Sequence, residues 1–162
     1  MRSLNRKQKR HAAVAVEAAL VYPVMIFLFL GLIIGGVGVF RYQQVACLSR
    51  EAARWASVRG EDYQRTTDLP FPTQQQIYDQ AVLPMAAGMD PALVTVQVEW
   101  VDQSTGTAYA WDAASKSVLS INSSGEYVTN TVRVTVSYQW TPNFLGIGTR
   151  YMRSISEIPM SY

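Results

Sequence analysis

The sequence predicts an α+β chain. An N-terminal transmembrane helix continues into a juxtamembrane helix, and the latter packs on a small antiparallel β-sheet domain. Three observations predict this. Ala18–Phe40 is a run of 23 residues without a charge. Val45, Leu48, Ala52 and Trp55 then recur at helical spacing. Two later stretches, 94–101 and 132–140, alternate apolar and polar residues with period two. The chain accordingly divides into a basic leader (1–12), a spanning helix (13–40), a juxtamembrane helix (41–59) and an exported domain (60–162). Within that domain the pattern predicts a linker over 60–72, a helix over 73–88 and a sheet over 93–160.

As a helix the uncharged run reaches about 34 Å at 1.5 Å per residue, enough for a bilayer core of roughly 30 Å. A cleaved secretory signal would have a shorter apolar core, about 7–15 residues, with small residues at its far end. Here the small residues Ala13-Val14-Ala15 precede the run. Val45-Ala46-Cys47 has the look of a lipoprotein signal's end, but Gln44 and Arg41 break the apolar approach to it. Arg2, Arg6, Lys7, Lys9 and Arg10 crowd the N-terminal flank, so the positive-inside rule keeps the N-terminus cytoplasmic and exports the body. Those cations also suit anionic lipid headgroups. Inside the run, Pro23 removes a helical hydrogen bond. Gly31 and Gly35 form a GxxxG pair, a helix-packing candidate. Glu17 stands at the mouth of the run and is the sole acid before Glu51. A carboxylate there is either a functional group or a headgroup-level charge paired with Lys9 or Arg10.

Composition excludes much else. The 162 residues are too few for a (β/α)₈ barrel, which needs roughly 250. Only 16% of the residues are charged. From Arg41 to Tyr162 there are 9 Lys and Arg against 11 Asp and Glu, so the net charge of +2 belongs to the leader and no nucleic-acid surface is expected. One Cys and one His allow neither an intrachain disulfide nor a zinc cluster. The His, His11, lies in the basic tail. No phosphate loop is present, and the glycines at 31, 35, 36 and 38 do not form a dinucleotide fingerprint. No cofactor is expected.

In the body, Thr73 and Gln76 form a capping box, with Ile77, Ala81 and Met85 on one side of the helix they start and Pro84 ending it. Val94, Val96, Val98 and Trp100 form one strand face; Val132, Val134, Val136, Tyr138 and Trp140 form another. Between them, residues 103–125 are expected to hold short strands around 109–111 and 118–121, and residues 150–158 an edge strand. Trp100, Trp111, Tyr138 and Trp140 are read as core or interface. Asn122-Ser-Ser is a nominal glycosylation sequon. Glu99, Asp102 and Asp112 are scattered acids that read as solvated strand ends, and Cys47 as a small residue packed on its helix.

The run Ala12-Ala13-Val14-Ala15-Val16-Glu17-Ala18-Ala19-Leu20-Val21-Tyr22-Pro23-Val24 resembles the N-terminus of TadE-like proteins, pseudopilins of tight-adherence (Flp, type IVb) pilus systems. Gln43-Gln44-Val45-Ala46 and Arg50-Glu51-Ala52-Ala53-Arg54-Trp55-Ala56 are similar to that family's juxtamembrane helix. Val132 to Tyr138, followed by Thr141-Pro142 and Gly146-Ile147-Gly148, resembles its C-terminal strand and loop. The resemblance implies a prepilin peptidase that cuts between Ala12 and Ala13, leaving Glu17 fifth in the mature chain, where its carboxylate can meet the new α-amino group of a neighbouring subunit. Ala12 stands where the family usually has Gly, Ala18 where an aromatic is common, and Gly35 where many relatives carry an acid. Further implications are residence in a bacterial inner membrane, pilin-like partner subunits and pilus assembly proteins, and no catalytic role. The rival reading is an anchored extracytoplasmic binding module without enzymatic activity.

Overall fold

The computed structural model describes residues 6–142 and 148–161, with side chains from residue 14 onward. Gly146 and Ile147 of the resemblance noted above lie outside the described residues. The chain forms two compact units, Met1–Phe40 and Arg41–Tyr162, with the helix α1 (Arg6–Ser57) contributing to both. The architecture is a long N-terminal apolar helix followed by a small antiparallel sheet domain, as the hydropathy pattern predicts.

In the second unit, α1 buries Val45, Leu48, Ser49, Ala52, Ala53 and Ala56. The spacing of three and four is one helical stripe, and its small side chains let the sheet approach closely. Trp55, expected on the stripe, is only partly buried at its margin. The helix ends where the Ser57 hydroxyl turns back to donate to the Arg54 carbonyl at 2.9 Å and Gly60 follows shortly after. Residues 60–72, expected to be a linker, instead include the two-turn helix α2 (Glu61–Thr67). Glu61 and Asp62 at its N-terminus favour the exposed backbone amides, and Arg65 pairs with both acids.

The capping box forms as read: the Thr73 hydroxyl accepts from the Gln76 amide while the Gln76 side chain accepts from the Thr73 amide. The helix it starts is irregular. One α-turn, α3 (Gln74–Ile77), passes into a π-turn (Tyr78–Val82) and then a 3₁₀ turn (Leu83–Met85). Pro84 explains this: it has no amide to donate and its ring crowds the carbonyl of Gln80, so the turn before it widens. The change of phase also corrects one core residue. Ile77 and Ala81 are buried, but Met85 is 45% exposed, and Ala86 and Met89 take the inner position.

The sheet has four antiparallel strands in the order β2-β1-β5-β6: β1 (Val94–Asp102), β2 (Thr107–Ala110), β5 (Thr131–Trp140) and β6 (Arg150–Pro159). Val96 faces Val136, Val98 faces Val134 and Trp100 faces Val132 across the central pair. Val98, Val132, Val134 and Val136 are fully buried, each such side chain stabilising by about 1.5–3 kcal/mol relative to exposure. Two short strands, β3 (Leu119–Ile121) and β4 (Tyr127–Thr129), form a separate hairpin. β4 has no apolar alternation long enough to announce it. Its turn does the work locally: the Asn122 side-chain oxygen accepts from Ser124 and Glu126 amides, and Gly125 adopts φ +85°. Trp111, expected at the end of a strand, begins a 3₁₀ turn (Trp111–Ala113) and is fully buried, its indole donating to the Pro72 carbonyl at 2.7 Å.

Candidate assembly site

Three places among the described residues carry chemistry beyond packing: the exposed face of the sheet, the buried Lys116 with the cleft near it, and the N-terminal helix. On the sheet, the register sets Glu99 opposite Arg133 and Arg133 opposite Glu157, one row across three strands. Arg133 Nε lies 2.9 Å from Glu157 Oε2, and Arg133 Nη1 lies 4.0 Å from Glu99 Oε2. The Thr131 hydroxyl donates to Glu157 at 2.7 Å, and Gln103 Nε2 does so at 3.2 Å. These bonds, with Thr131 foremost and Arg133 adding charge, hold the Glu157 carboxyl below its ordinary range against the opposing effect of burial. Asp102 is likewise lowered, chiefly by the Ser104 hydroxyl that donates to it. Asp112 accepts from the Gln74 amide and so holds the start of α3. Glu99, Asp102 and Asp112 thus each serve local structure, and they do not converge.

Under the 3₁₀ turn, Lys116 is only 4% exposed and has φ +58°. Its ammonium donates to the Ala114 carbonyl at 3.1 Å and lies 4.6 Å from the Phe71 ring centre and 5.4 Å from that of Trp111. Burial lowers its pKa, and Asp112 opposes this. A cleft of about 290 Å³ opens nearby, lined by Trp55, Arg59, Tyr63, Leu69, Pro70 and Gln76 among others. Arg59 stacks on Trp55 at 3.8 Å and donates to the Trp55 carbonyl. Among the described residues, no cluster of His, Cys, Asp and Glu is placed to hold a metal ion.

The N-terminal unit is a helix long and apolar enough to cross a membrane, and none of its most apolar window is buried. Leu20, Phe27, Leu28, Leu32 and Ile33 are all more than half exposed. In water such a surface would be untenable over this length; in hydrocarbon it is the expected one. A single N-terminal apolar helix of this kind is a single-pass membrane anchor. It runs through Pro23 without a break. Gly31 and Gly35 sit four residues apart on one face, and a Cβ built on either would meet no atom within 4 Å. Glu17 is exposed and has no ion pair or hydrogen bond among the described side chains. Ala12 and Ala13 lie within α1, as do Lys9 and Arg10, and the side chains of all four fall outside the described residues.

Residues 12–54 match the TadE-like protein family. The TadE-like segment covers the membrane helix and most of the stripe that packs on the sheet, well under half of the chain. It includes Ala12, Ala13, Glu17, Gly31 and Gly35, and also Cys47, which is exposed rather than packed. No curated protein and no solved structure matches the chain. Outside the TadE-like segment, sequence reasoning missed the Glu99–Arg133–Glu157 row and the buried Lys116. The row becomes visible only once strand register is known. For Lys116 the available hint was the one cation in residues 103–125, a stretch rich in Ser, Thr and Ala whose single acid is Asp112.

Proposed function

We propose that this chain is a membrane-anchored, pseudopilin-like structural subunit that takes part in assembling a Tad/Flp-type pilus or a related secretion machine, and that it has no enzymatic role. The observation that carries this reading is the TadE-like match centred on an unburied apolar helix with one carboxylate, Glu17, at its mouth. The N-terminus is cytoplasmic and the sheet domain extracytoplasmic, following the five leader cations. A prepilin peptidase cuts between Ala12 and Ala13, so the mature chain starts with an α-amino group four residues before Glu17. Loss of those five cations takes the net charge from +2 to −3. Among packed apolar helices an isolated carboxylate would take up a proton; the ammonium of a neighbouring pilin-like subunit keeps it ionised and sets register. Gly31 and Gly35 offer the face along which helices approach.

Intact mass of protein from its own host, with the peptidase present, is expected to show loss of residues 1–12. A mature chain still beginning at Met1 or Arg2 would remove the amine from the mechanism. Glu17→Gln keeps size and removes charge. It is expected to insert normally yet co-purify with partner subunits at least about tenfold less well, since breaking a buried charge pair costs about 3–5 kcal/mol. Glu17→Lys should lose more. Undiminished recovery of Glu17→Gln would refute the charge-pairing role. The cleft at Trp55, Arg59 and Tyr63 is the observation that favours the alternative, an anchored binding module. That reading requires Trp55→Ala to abolish function while leaving subunit recovery intact.

A further inference from the structure

We propose that the outer edge of β6 pairs with the same edge of a second copy of this chain, antiparallel and centred on Ile155, to make one continuous eight-stranded sheet. The inner edge of β6 is fully used: its residues pair with β5 from Arg150 opposite Trp140 to Pro159 opposite Thr131. Among the described residues no strand pairs with its outer edge, which therefore presents a row of unsatisfied amides and carbonyls. An edge this long is usually shielded by charge, and β6 does carry Arg153 and Glu157 on its exposed face. Those charges are self-complementary in one register.

A twofold axis through Ile155 places each residue opposite its mirror position. Arg153 then faces Glu157 of the second copy, twice by symmetry. Ile155, 54% exposed, meets itself, and Tyr151, 77% exposed, meets Pro159. On the helix-packed face Met152 meets Ile158 and Ser154 meets Ser156, all half-buried already. The row Glu99–Arg133–Glu157 gains its next member, Arg153 of the second copy, so the charges alternate across four strands. Within the chain Arg153 has no ion pair among the described residues, while Glu157 keeps its bonds to Arg133 and Thr131. Moving the axis within β6 destroys the match in every register that keeps both helix-packed faces on the same side. Centres at 153 or 157 oppose like charges, and the others leave Arg153 opposite a neutral residue. The shielding thus excludes slipped pairings and admits one partner, another β6.

The test uses the full chain in detergent with Cys47→Ser, which removes the native thiol. Directly opposed residues have Cβ atoms about 4.5–5.5 Å apart, close to disulfide range, so Ile155→Cys should oxidise to a covalent dimer. Arg153→Cys should not, because its symmetry mate lies about 13 Å along the strand. Adding Arg153→Glu to the Ile155→Cys chain should cut the cross-linked fraction by about tenfold or more, and Arg153→Lys should preserve it. Light scattering of the unsubstituted chain should give a dimer that Arg153→Glu converts to monomer. A monomer, equal cross-linking from Arg153→Cys, or a dimer that Ile155→Cys fails to trap would each overturn the proposal. The last would place the contact elsewhere, as along Gly31 and Gly35. None of these outcomes depends on leader cleavage or on Glu17, so the edge and the charge-pairing reading stand or fall separately.

Discussion

Replacing Asn130 by Ala should destabilise the sheet domain by about 3 kcal/mol, more than any other single polar truncation in it, because of how its bonds are distributed. Asn130 is fully buried between β4 and β5. Its amide nitrogen donates to the Ser117 carbonyl at 3.0 Å and the Ser120 hydroxyl at 2.8 Å, and its side-chain oxygen accepts from the Gln103 amide at 3.0 Å. Its backbone adds a bond to the Val118 carbonyl and accepts one from Met160. One side chain therefore joins the turn after β1, the β3–β4 hairpin and, through its backbone, the chain's last residues. Three side-chain bonds at about 1 kcal/mol each give the estimate, and a buried amide and carbonyl left without partners keep it from falling much lower. For a unit spanning Arg41–Tyr162 this corresponds to a Tm lower by about 10 °C. Near-UV circular dichroism of the full chain in detergent is the assay, because buried Trp100 and Trp111 report the sheet domain and α1 dominates the far-UV signal. Asn130→Asp should be at least as harmful at neutral pH, since it points a carboxylate at the Ser117 carbonyl. It should recover partly on acidification as the carboxyl regains a proton to donate. A shift of less than about 3 °C for Asn130→Ala would show that these bonds do not hold the loops to the sheet.

Lys116 should make stability rise with alkaline pH. Its folded pKa is lowered from 10.5, so the cost of its buried charge is present in full below that lowered value. That cost is relieved as pH climbs from the lowered value towards 10.5, where the unfolded chain still holds the proton. Lys116→Met should remove this slope in denaturant midpoints measured across the window; an unchanged slope would refute it. Leu48→Ala, at 1% exposure, should cost the sheet domain about 2–5 kcal/mol. Leu32→Ala, at 75% exposure in the apolar helix, should change the same near-UV melt by less than about 0.5 kcal/mol.

The sequence by itself determined whatever rests on local periodicity or composition. The uncharged run from Ala18 to Phe40 determines an apolar helix because a span of that length has no other way to satisfy its backbone in hydrocarbon. Alternation in 94–101 and 132–140 determined two strands and most of their buried faces, though Val101 and Thr135 are buried on the side expected to be wet, and Thr73 with Gln76 determined a helix start. The position of Glu17 at the mouth of the run was legible for the same reason, as was the TadE-like resemblance. What the alternation leaves open is which strands are neighbours and in what register, since period two says only which side a residue faces. The edge position of β6 was already expected for residues 150–158, whereas tertiary structure alone decided that Glu99, Arg133 and Glu157 form one row. It alone placed Lys116 against Phe71 and Trp111, and joined Gln103, Ser117 and Ser120 at Asn130. Apart from Trp111, five residues before Lys116, those partners lie 10 to 45 residues away along the chain, beyond the reach of any local pattern. They meet because burying the valines of β1 and β5 against α1 fixes where every connecting loop must pass.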